Sequence, residues 1–298
     1  MRVGPTKALT PTLSRERERE HDLDAAWSAR STTDHARRAL VAARARIASG
    51  TLLALAATAA TAADLPRGDC RHPLPATDLS ACDFTRAKLA GRDLRGVGLA
   101  GAKLENADLR KARLAGANLS NSNAKWANFT GASLAKADLR GADLFHATFD
   151  DADLSDARMA GANLFGANLI GTRAPRADFS GAYLKDVLME GIDLSGGSIK
   201  GCYALRGVFS NAKLVGTDLS GADLTGAAME SVDFSRAKLV ATKLLGATLR
   251  HAVFEDADMA EANLANADVW NANFDKARNR PPSVQEALIE PFVVRERR

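Results

Sequence analysis

The sequence predicts an all-β solenoid, in which short segments wind into coils that stack along one axis. The first observation is a bulky apolar residue at every fifth position, in one unbroken register from Leu79 to Phe274. Of the 40 central positions in this register, 37 are Leu, Phe, Met, Ile or Val, and the exceptions are Ala124, Ala174 and Ala204. The second observation is that the residues around each centre are also periodic, so the repeating unit is a pentapeptide.

A period of five fits neither a continuous helix nor a continuous strand. Five residues turn an α-helix through about 500°, so the apolar residues would spread around the helix instead of forming one stripe. In a continuous strand, an odd period sends successive apolar residues to opposite faces. Because neither regular structure buries this pattern, each unit is expected to be a short extended piece followed by a corner.

The composition of the unit predicts which residues point inward. Two positions before the centre, 26 of the 40 residues are Ala, and one position before it, 21 are Asp or Asn. Two positions after the centre, 17 are Gly, which favours a turn of the chain there. The small residue and the centre are two positions apart and therefore point inward together, whereas the Asp or Asn between them points outward.

Runs such as ADLRGADLF, AGANLFGANLI and ADMAEANLANADV resemble the pentapeptide-repeat family, whose motif is A(D/N)LXX. The resemblance covers residues 77–276. It implies the fold of that family, a right-handed quadrilateral β-helix with four pentapeptides per coil, and therefore about ten coils. Residues 20 positions apart are then expected to stack. The two internal columns of phenylalanine that result are Phe129 with Phe149, and Phe234 with Phe254 and Phe274.

Residues 64–76 and 277–298 flank the repeats and are expected to cap the exposed edges of the first and last coils. After Pro281 and Pro282 the sequence predicts a short helix. The apolar residues expected to cover the last coil are Leu288, Ile289, Phe292 and Val293. The resemblance adds a second role for this segment, because some members of the family form homodimers through a C-terminal element.

The segment before the repeats differs in kind. Residues 41–63 have the layout of a secretory signal peptide, with basic residues, an apolar stretch and then small residues before Asp64. The apolar stretch is too short and too rich in Ala to span a bilayer, and an ordinary Ala-rich helix is the alternative. Because a signal peptide begins near an N-terminus, residues 1–40 are expected to be a disordered leader, absent from the native product if translation starts near Val41.

The cysteines and histidines form no known catalytic or metal-binding motif. Asp69, Cys70, His72 and Cys82 are the best candidate ligands, but their spacing fits no common zinc site, so neither a metal nor another cofactor is expected. In an oxidising compartment, a disulfide between Cys70 and Cys82 is the alternative. Cys202 occupies an inward small-residue position, where a buried and unreactive thiol is expected.

The charge of the repeats argues against a partner made of nucleic acid. Residues 77–276 contain 23 Lys or Arg and 25 Asp or Glu, so their net charge is −2. The best-known activity in the pentapeptide-repeat family is mimicry of DNA to bind gyrase, which relies on a strongly acidic rod. A near-neutral rod lacks that field, and it also lacks the basic surface of a nucleic-acid-binding protein.

Surface aromatic residues concentrate on one side of the predicted rod. If four units form a coil, one group falls at outward positions of the second side: Trp126, Phe145, His146, Phe165, Tyr183 and Tyr203. Lys125, Lys185 and Arg206 lie alongside, whereas Trp270 falls on the third side. A clustered ridge of this kind marks either a contact site for a partner or simple stacking that stiffens the coils.

These observations predict a non-enzymatic, secreted or periplasmic rod that mediates protein or envelope interactions. The partner is expected to be a protein or another component of the cell envelope, and no transmembrane span is expected. The alternative is a cytoplasmic topoisomerase modulator that mimics DNA. The two hypotheses differ in whether the predicted signal peptide is removed.

Overall fold

The computed structural model of the chain describes residues 65–289, which lie within one compact unit, Ala59–Arg298. Side chains are described for residues 65–285. The predicted leader (1–40) and the predicted signal peptide (41–63) fall outside the described residues. Within the described part of the chain, no helix is long and apolar enough to cross a membrane.

Parallel β-bridges join residues that are 20 positions apart throughout the repeats. The first of these bridges joins Asp78 to Gly98 and the last joins Asp258 to Arg278, and the register does not shift between them. Four pentapeptides therefore separate each residue from the one it pairs with in the next coil. The pairing continues two residues past the predicted end of the repeats, at 276.

Each pentapeptide contributes one bridged residue, the one before the centre, rather than a continuous strand. Pentapeptide 117–121 shows why five residues suffice, because all of its N–H groups have acceptors. Ala117 N–H closes a turn onto the carbonyl of Leu114, at 2.9 Å. Asn118 N–H reaches the coil before, and the N–H groups of Leu119 and Asn121 reach the coil after. Hydrogen bonds between coils therefore satisfy the backbone N–H groups that the neighbouring strands of a sheet would otherwise satisfy.

The remaining N–H group explains the Asp or Asn that precedes so many centres. In pentapeptide 117–121, Ser120 N–H donates to Oδ1 of Asn118, at 3.0 Å. The same bond recurs in other units, for example from Ser80 to Asp78 and from Thr130 to Asn128. A short side chain with an oxygen acceptor is needed for this turn, so the outward Asp and Asn are part of the fold.

Every central residue from Leu79 to Phe274 is buried, and most of the small residues two positions before them are buried as well. The internal phenylalanines stack as the 20-residue repeat predicts. Ring centroids are 4.7 Å apart for Phe129 and Phe149, 4.8 Å for Phe234 and Phe254, and 4.6 Å for Phe254 and Phe274. The core is therefore one continuous column of side chains along the axis.

The corner residue, two positions after each centre, has a positive φ in every unit from Arg86 to Lys276. Glycine takes this conformation without steric cost, as Gly166 does with φ of 60°. Trp126 takes it with φ of 54°, although a bulky side chain disfavours it. Pairing above and below therefore fixes the corner even where the residue resists it.

Backbone hydrogen bonds join the segment before the repeats to the first coil. Asp78 N–H donates to the carbonyl of Pro66 at 2.8 Å, and the carbonyl of Asp78 accepts from Gly68 N–H at 2.9 Å. Cys70 in this segment is bonded to Cys82 in the first coil, with their sulfurs 2.02 Å apart.

At the other end, helix α1 (Pro282–Ile289) follows the last coil. Leu264 N–H donates to Oγ of Ser283 at 3.2 Å, and that hydroxyl contacts the carbonyl of Ala262 at 3.5 Å. In the preceding coil, Leu244 N–H donates to the backbone carbonyl 19 residues ahead, so the Ser283 side chain occupies the place of a backbone partner.

Val284 is the buried apolar side chain of α1 within the described side chains. The sequence analysis did not single it out and chose Leu288 and Ile289 instead, whose side chains lie outside the described ones. Phe292 and Val293 lie beyond the described residues. Val284 follows Ser283, so the apolar contact and the hydrogen bond fall on the first turn of the helix.

Candidate functional site

The aromatic ridge is defined here as Trp126, Phe145, His146, Phe165, Tyr183 and Tyr203. Its rings form an unbroken chain of contacts on the second side, the pentapeptides centred on residues 84, 104 and so on to 264. Phe145 stacks on Phe165 with centroids 5.3 Å apart, and Phe165 stacks on Tyr183 at 6.0 Å. Tyr183 then stacks on Tyr203 at 5.3 Å, with planes 7° apart.

Trp126 and His146 form the edge of the ridge nearest the N-terminus of the repeats. Trp126 meets Phe145 edge-on with centroids 5.4 Å apart, and His146 meets Phe145 edge-on at 4.4 Å. Both residues lie at corners, and 47% of Trp126 is exposed. This end of the ridge therefore presents a large apolar group to its surroundings.

The cations beside the ridge are held by contacts within the rod. Lys125 Nζ lies 3.2 Å from Oδ2 of Asp143, and Arg206 makes two contacts with the carboxylate of Asp186, at 2.9 and 3.0 Å. Lys185 Nζ lies 5.8 Å from the centroid of the Phe165 ring. The ridge is consequently apolar at its centre, with balanced charges at its border.

The sequence analysis treated the whole ridge as outward-facing, and two residues of this region differ from that expectation. Tyr183 occupies the outward bridging position but is only 5% exposed, and Lys185 is also 5% exposed. Outward position in the pentapeptide therefore does not ensure exposure of the side chain. Trp126 and His146, at the corners, are the exposed members.

Several exposed apolar residues lie elsewhere, and the sequence analysis named only one of them. Trp270, on the third side, is 64% exposed and meets His251 edge-on with centroids 4.8 Å apart. Ile170 and Leu188 are exposed on the same side, one coil apart. The sequence feature that could have identified them is an apolar residue at a position where the motif normally has a polar one.

The candidate ligands at the N-terminal end do not come together as a metal site. Cys70 and Cys82 are bonded to each other, and His72 Nδ1 lies 2.9 Å from Oδ2 of Asp69 on the surface. Among the described residues, no group of three or more His, Cys, Asp or Glu is placed to bind a metal ion. Cys202 is buried, and burial raises the pKa of its thiol to about 12, so it is protonated and unreactive at neutral pH.

The outward carboxylates are held ionised by their turn hydrogen bonds. Hydrogen bonds from Thr85, with a contribution from Lys103, hold the pKa of Asp83 down to about 2. The Arg95 side chain does the same for Asp93, whose pKa is also about 2. Asp150 is an exception, because burial raises its pKa. A low pKa suits an acceptor in a turn and does not suit a general acid.

The coil pairing, the Asp and Asn turns and the column of buried centres define a solenoid built from pentapeptides. The sequence model of the family described as Pentapeptide repeats matches residues 99–134, 125–161, 162–201, 208–239 and 242–278, with 8 copies. Because these matches cover more than half of the chain, the protein belongs to the pentapeptide-repeat family. Comparison with curated protein sequences gives no match.

Solved structures of pentapeptide-repeat proteins are similar to this chain. HetL, a protein involved in heterocyst differentiation regulation from the cyanobacterium Nostoc sp. strain PCC 7120, is 30% identical with a TM-score of 0.65. The similarity covers 66% of this chain and 89% of HetL. Rfr23 from the cyanobacterium Cyanothece 51142 is 25% identical with a TM-score of 0.30, over 37% of this chain and 86% of Rfr23.

A third similar structure is QnrB1, a plasmid-mediated fluoroquinolone resistance protein. It is 17% identical with a TM-score of 0.42, over 73% of this chain and 98% of QnrB1.

Proposed function

We propose that this chain is a non-enzymatic scaffold, exported from the cytoplasm, that binds a protein partner through the aromatic ridge. The observation that supports this function is the continuous ladder of ring contacts over five successive coils of a rigid rod. Side chains fixed in this way lose little conformational entropy when a partner binds. The border of paired charges suits the polar rim of a protein interface.

The stacking geometry favours a protein partner over a glycan. A sugar binds an aromatic ring through the ring face, but the faces of Phe145, Phe165 and Tyr183 are directed at one another. The ridge therefore presents ring edges, together with the indole of Trp126. Tryptophan and its aromatic neighbours are the residue types enriched at the centres of protein interfaces.

The absence of enzymatic activity is part of the proposal. The Asp side chains of the motif accept hydrogen bonds from backbone N–H groups, which is a structural task. HetL, the similar protein of 30% identity, is described as involved in regulation. A regulatory scaffold needs a specific surface and no reacting groups.

We also infer the finer architecture that the family implies, a right-handed quadrilateral helix of about ten coils. Residues 64–76 and α1 cap its two ends in this proposal. The backbone bonds from Asp78 to residues 66 and 68 support the first cap, and the contacts of Ser283 and Val284 support the second. Both caps satisfy edges that would otherwise pair with another chain.

Export is tested by the N-terminus of the mature protein. We expect the product recovered from cell fractions to be outside the cytoplasm and to begin near Asp64, after removal of residues 41–63 as a signal peptide. Cys70 and Cys82 should react with an alkylating agent only after reduction. A cytoplasmic product that retains the leader and has both thiols free would contradict export and would favour the topoisomerase alternative.

The ridge is tested by a double substitution, Trp126→Ser with Phe145→Ser. We expect this variant to fold normally, since neither residue is a core centre, and to lose the proteins that the wild-type rod captures from an envelope fraction. Trp270→Ser is the matched control, because it removes an equally large exposed aromatic residue from the third side. If the double variant captures the same proteins as the control, the ridge serves only to stiffen the coils.

A further inference from the structure

Four charged residues of the second side are ordered so that each meets an opposite charge when the rod is reversed. Near one end, Lys103 Nζ lies 3.3 Å from Oδ2 of Asp83. Near the other end, Lys243 Nζ lies 3.3 Å from Oδ2 of Asp223. All four residues lie one position before a centre of the second side, in the column that forms the β-bridges, called the bridging column here. Asn163 of this column is midway in sequence between Asp83 and Lys243, and also midway between Lys103 and Asp223.

The aromatic ridge has the same midpoint. In the corner column of the second side, Trp126 and Arg206 are equally distant from Gly166. His146 and Asp186 are also equally distant from it. In the column one position after the centres, Phe165 lies in the same coil as Asn163 and Gly166, the coil about which the rod is reversed. Reversing the rod about this coil therefore places an aromatic residue opposite a cation and an imidazole opposite a carboxylate.

We propose that two copies of this chain pack their second sides together as antiparallel rods, related by a two-fold axis through pentapeptide 162–166. Such an axis reverses the direction of the second rod and places each column of one copy opposite the same column of the other copy. Asp83 then meets Lys243 of the second copy, and Lys103 meets Asp223. The inference rests on the proposed function, because it names the partner that the aromatic ridge binds.

The contacts across the axis combine apolar and charged groups. The indole of Trp126 faces the guanidinium of Arg206, whose side chain is 51% exposed and whose ion pair with Asp186 uses its edge. A guanidinium can stack its face on an aromatic ring while its edge donates hydrogen bonds. Phe165 packs against its own copy at the axis. Tyr183 and Lys185, which are nearly buried, take no part in these contacts.

Charge also selects the direction of the two rods. If the rods were parallel with their coils level, the two-fold axis would run along them, and Asp83 would lie level with Asp83 of the second copy, eight coils away from Lys243. The parallel arrangement therefore loses both pairs of opposite charges, whereas the antiparallel one forms them at its two ends. Only one side of each rod is buried in this arrangement, and interfaces below about 1,200 Å² in total are typical of reversible complexes, so we expect a reversible dimer.

Cysteine cross-linking tests the position of the axis. Phe165→Cys places a thiol beside the axis, next to its own copy, so oxidation should link two chains. Thr225→Cys is the matched control, because it lies in the same column three coils away and faces Glu105 of the second copy. It should not link alone, but the variant with both Thr225→Cys and Glu105→Cys should. Equal linking of Phe165→Cys and Thr225→Cys, or none by Phe165→Cys, overturns the proposal.

A charge exchange tests the contacts independently of oxidation. We expect Asp83→Lys and Lys243→Asp each to weaken dimerisation by about tenfold, measured by analytical ultracentrifugation, because each places like charges opposite each other. The variant with both changes should recover the wild-type affinity or exceed it, since one end becomes basic and the other acidic. A double variant no better than either single variant contradicts the antiparallel arrangement.

The capture experiment separates this inference from the proposed function. A wild-type rod that is monomeric at high concentration refutes the dimer. If the double substitution Trp126→Ser with Phe145→Ser still abolishes capture of another protein, the proposed function stands without the dimer. A monomeric rod whose captured proteins are unaffected by that variant refutes both.

Discussion

Buried hydroxyl groups show how single residues adapt to the inward small position. Thr172, Thr217 and Thr242 are buried there, and each hydroxyl donates to a backbone carbonyl 23 residues earlier, at 2.8 to 2.9 Å. Ser122 is buried at the same position, but its hydroxyl finds no hydrogen-bond partner among the described residues. A buried hydroxyl without a partner costs free energy, whereas a bonded one is stabilising.

Ser122→Ala and Thr217→Ala should therefore have opposite effects. Ser122→Ala removes an unsatisfied group and introduces the commonest residue of this position, so the free energy of unfolding should rise by up to about 1 kcal/mol. Thr217→Ala removes a hydrogen bond and a buried methyl group, so the free energy of unfolding should fall by about 1 to 2 kcal/mol. Chemical denaturation of the two variants is the measurement, and an equal loss in both would contradict this interpretation.

Leu154 and Asp153 are neighbours with different tasks. Leu154→Ala should lower the free energy of unfolding by about 2 to 5 kcal/mol, because a fully buried centre leaves a cavity. The sequence alone predicts that Asp153→Ser is nearly silent, since the residue points outward. In the structure Asp153 accepts from Ser155 N–H and from Arg173, at 3.0 Å each, so we expect a measurable but smaller loss. Thermal unfolding of both variants distinguishes the two, and equal effects would be inconsistent with these roles.

At the scale of the coil, the volumes of successive centres compensate each other. The three central alanines are each followed by phenylalanine at the next centre: Ala124 by Phe129, Ala174 by Phe179, and Ala204 by Phe209. All of these residues are buried. Because a close-packed core tolerates neither voids nor overlaps, we interpret each pair as one packing unit in which a large ring occupies the space of a missing side chain.

A double-mutant cycle measures this coupling. Ala204→Leu should destabilise the rod by about 1 to 3 kcal/mol because it overfills the coil that contains Phe209. Phe209→Leu alone should also destabilise, by leaving a void. The variant with both substitutions has leucine at both centres, the commonest arrangement. Its loss of stability should therefore be smaller than the sum of the losses in the two single variants. As a control, Phe149 follows a leucine, so Leu144→Ala with Phe149→Leu should show no such recovery. Additive effects at residues 204 and 209 would rule out the packing unit.

At the scale of the whole molecule, the ionised carboxylates of the turns make stability depend on pH. The pKa of Asp83 and that of Asp93 are lowered to about 2 in the folded chain, from a usual value of 3.8. A group with a lowered pKa stabilises the fold above its unfolded pKa, and this stabilisation is lost as the pH falls through the folded pKa. The rod should therefore lose stability between about pH 4 and pH 2.

Asp93→Asn tests this dependence. An amide oxygen still accepts the turn N–H, as Asn118 does, but it has no charge to lose. Chemical denaturation at a series of pH values should show a smaller loss of stability between pH 4 and pH 2 in the variant than in the wild type. A variant whose stability falls as steeply as that of the wild type would show that Asp93 does not contribute.

The five-residue register was sufficient to predict a solenoid of pentapeptides, because it decides which residues can be buried together. The phenylalanine columns and the position of the ridge on one side needed, in addition, the four pentapeptides per coil that the resemblance to the family implies. The disulfide between Cys70 and Cys82 was one alternative in the sequence, and in the structure the two sulfurs are bonded. Local periodicity was sufficient for these features because each coil repeats the geometry of the coil before.

Contacts between coils decide the features that lie where the period ends or where side chains meet on the surface. The burial of Tyr183 and Lys185, the hydrogen bond of Ser283 at the last coil and the contact of Asp153 with Arg173 all depend on groups from other coils. The pentapeptide pattern specifies whether a residue points in or out, but exposure depends on the size and direction of the groups around it. Those groups are 18 or more residues away in the sequence, beyond the reach of a five-residue rule.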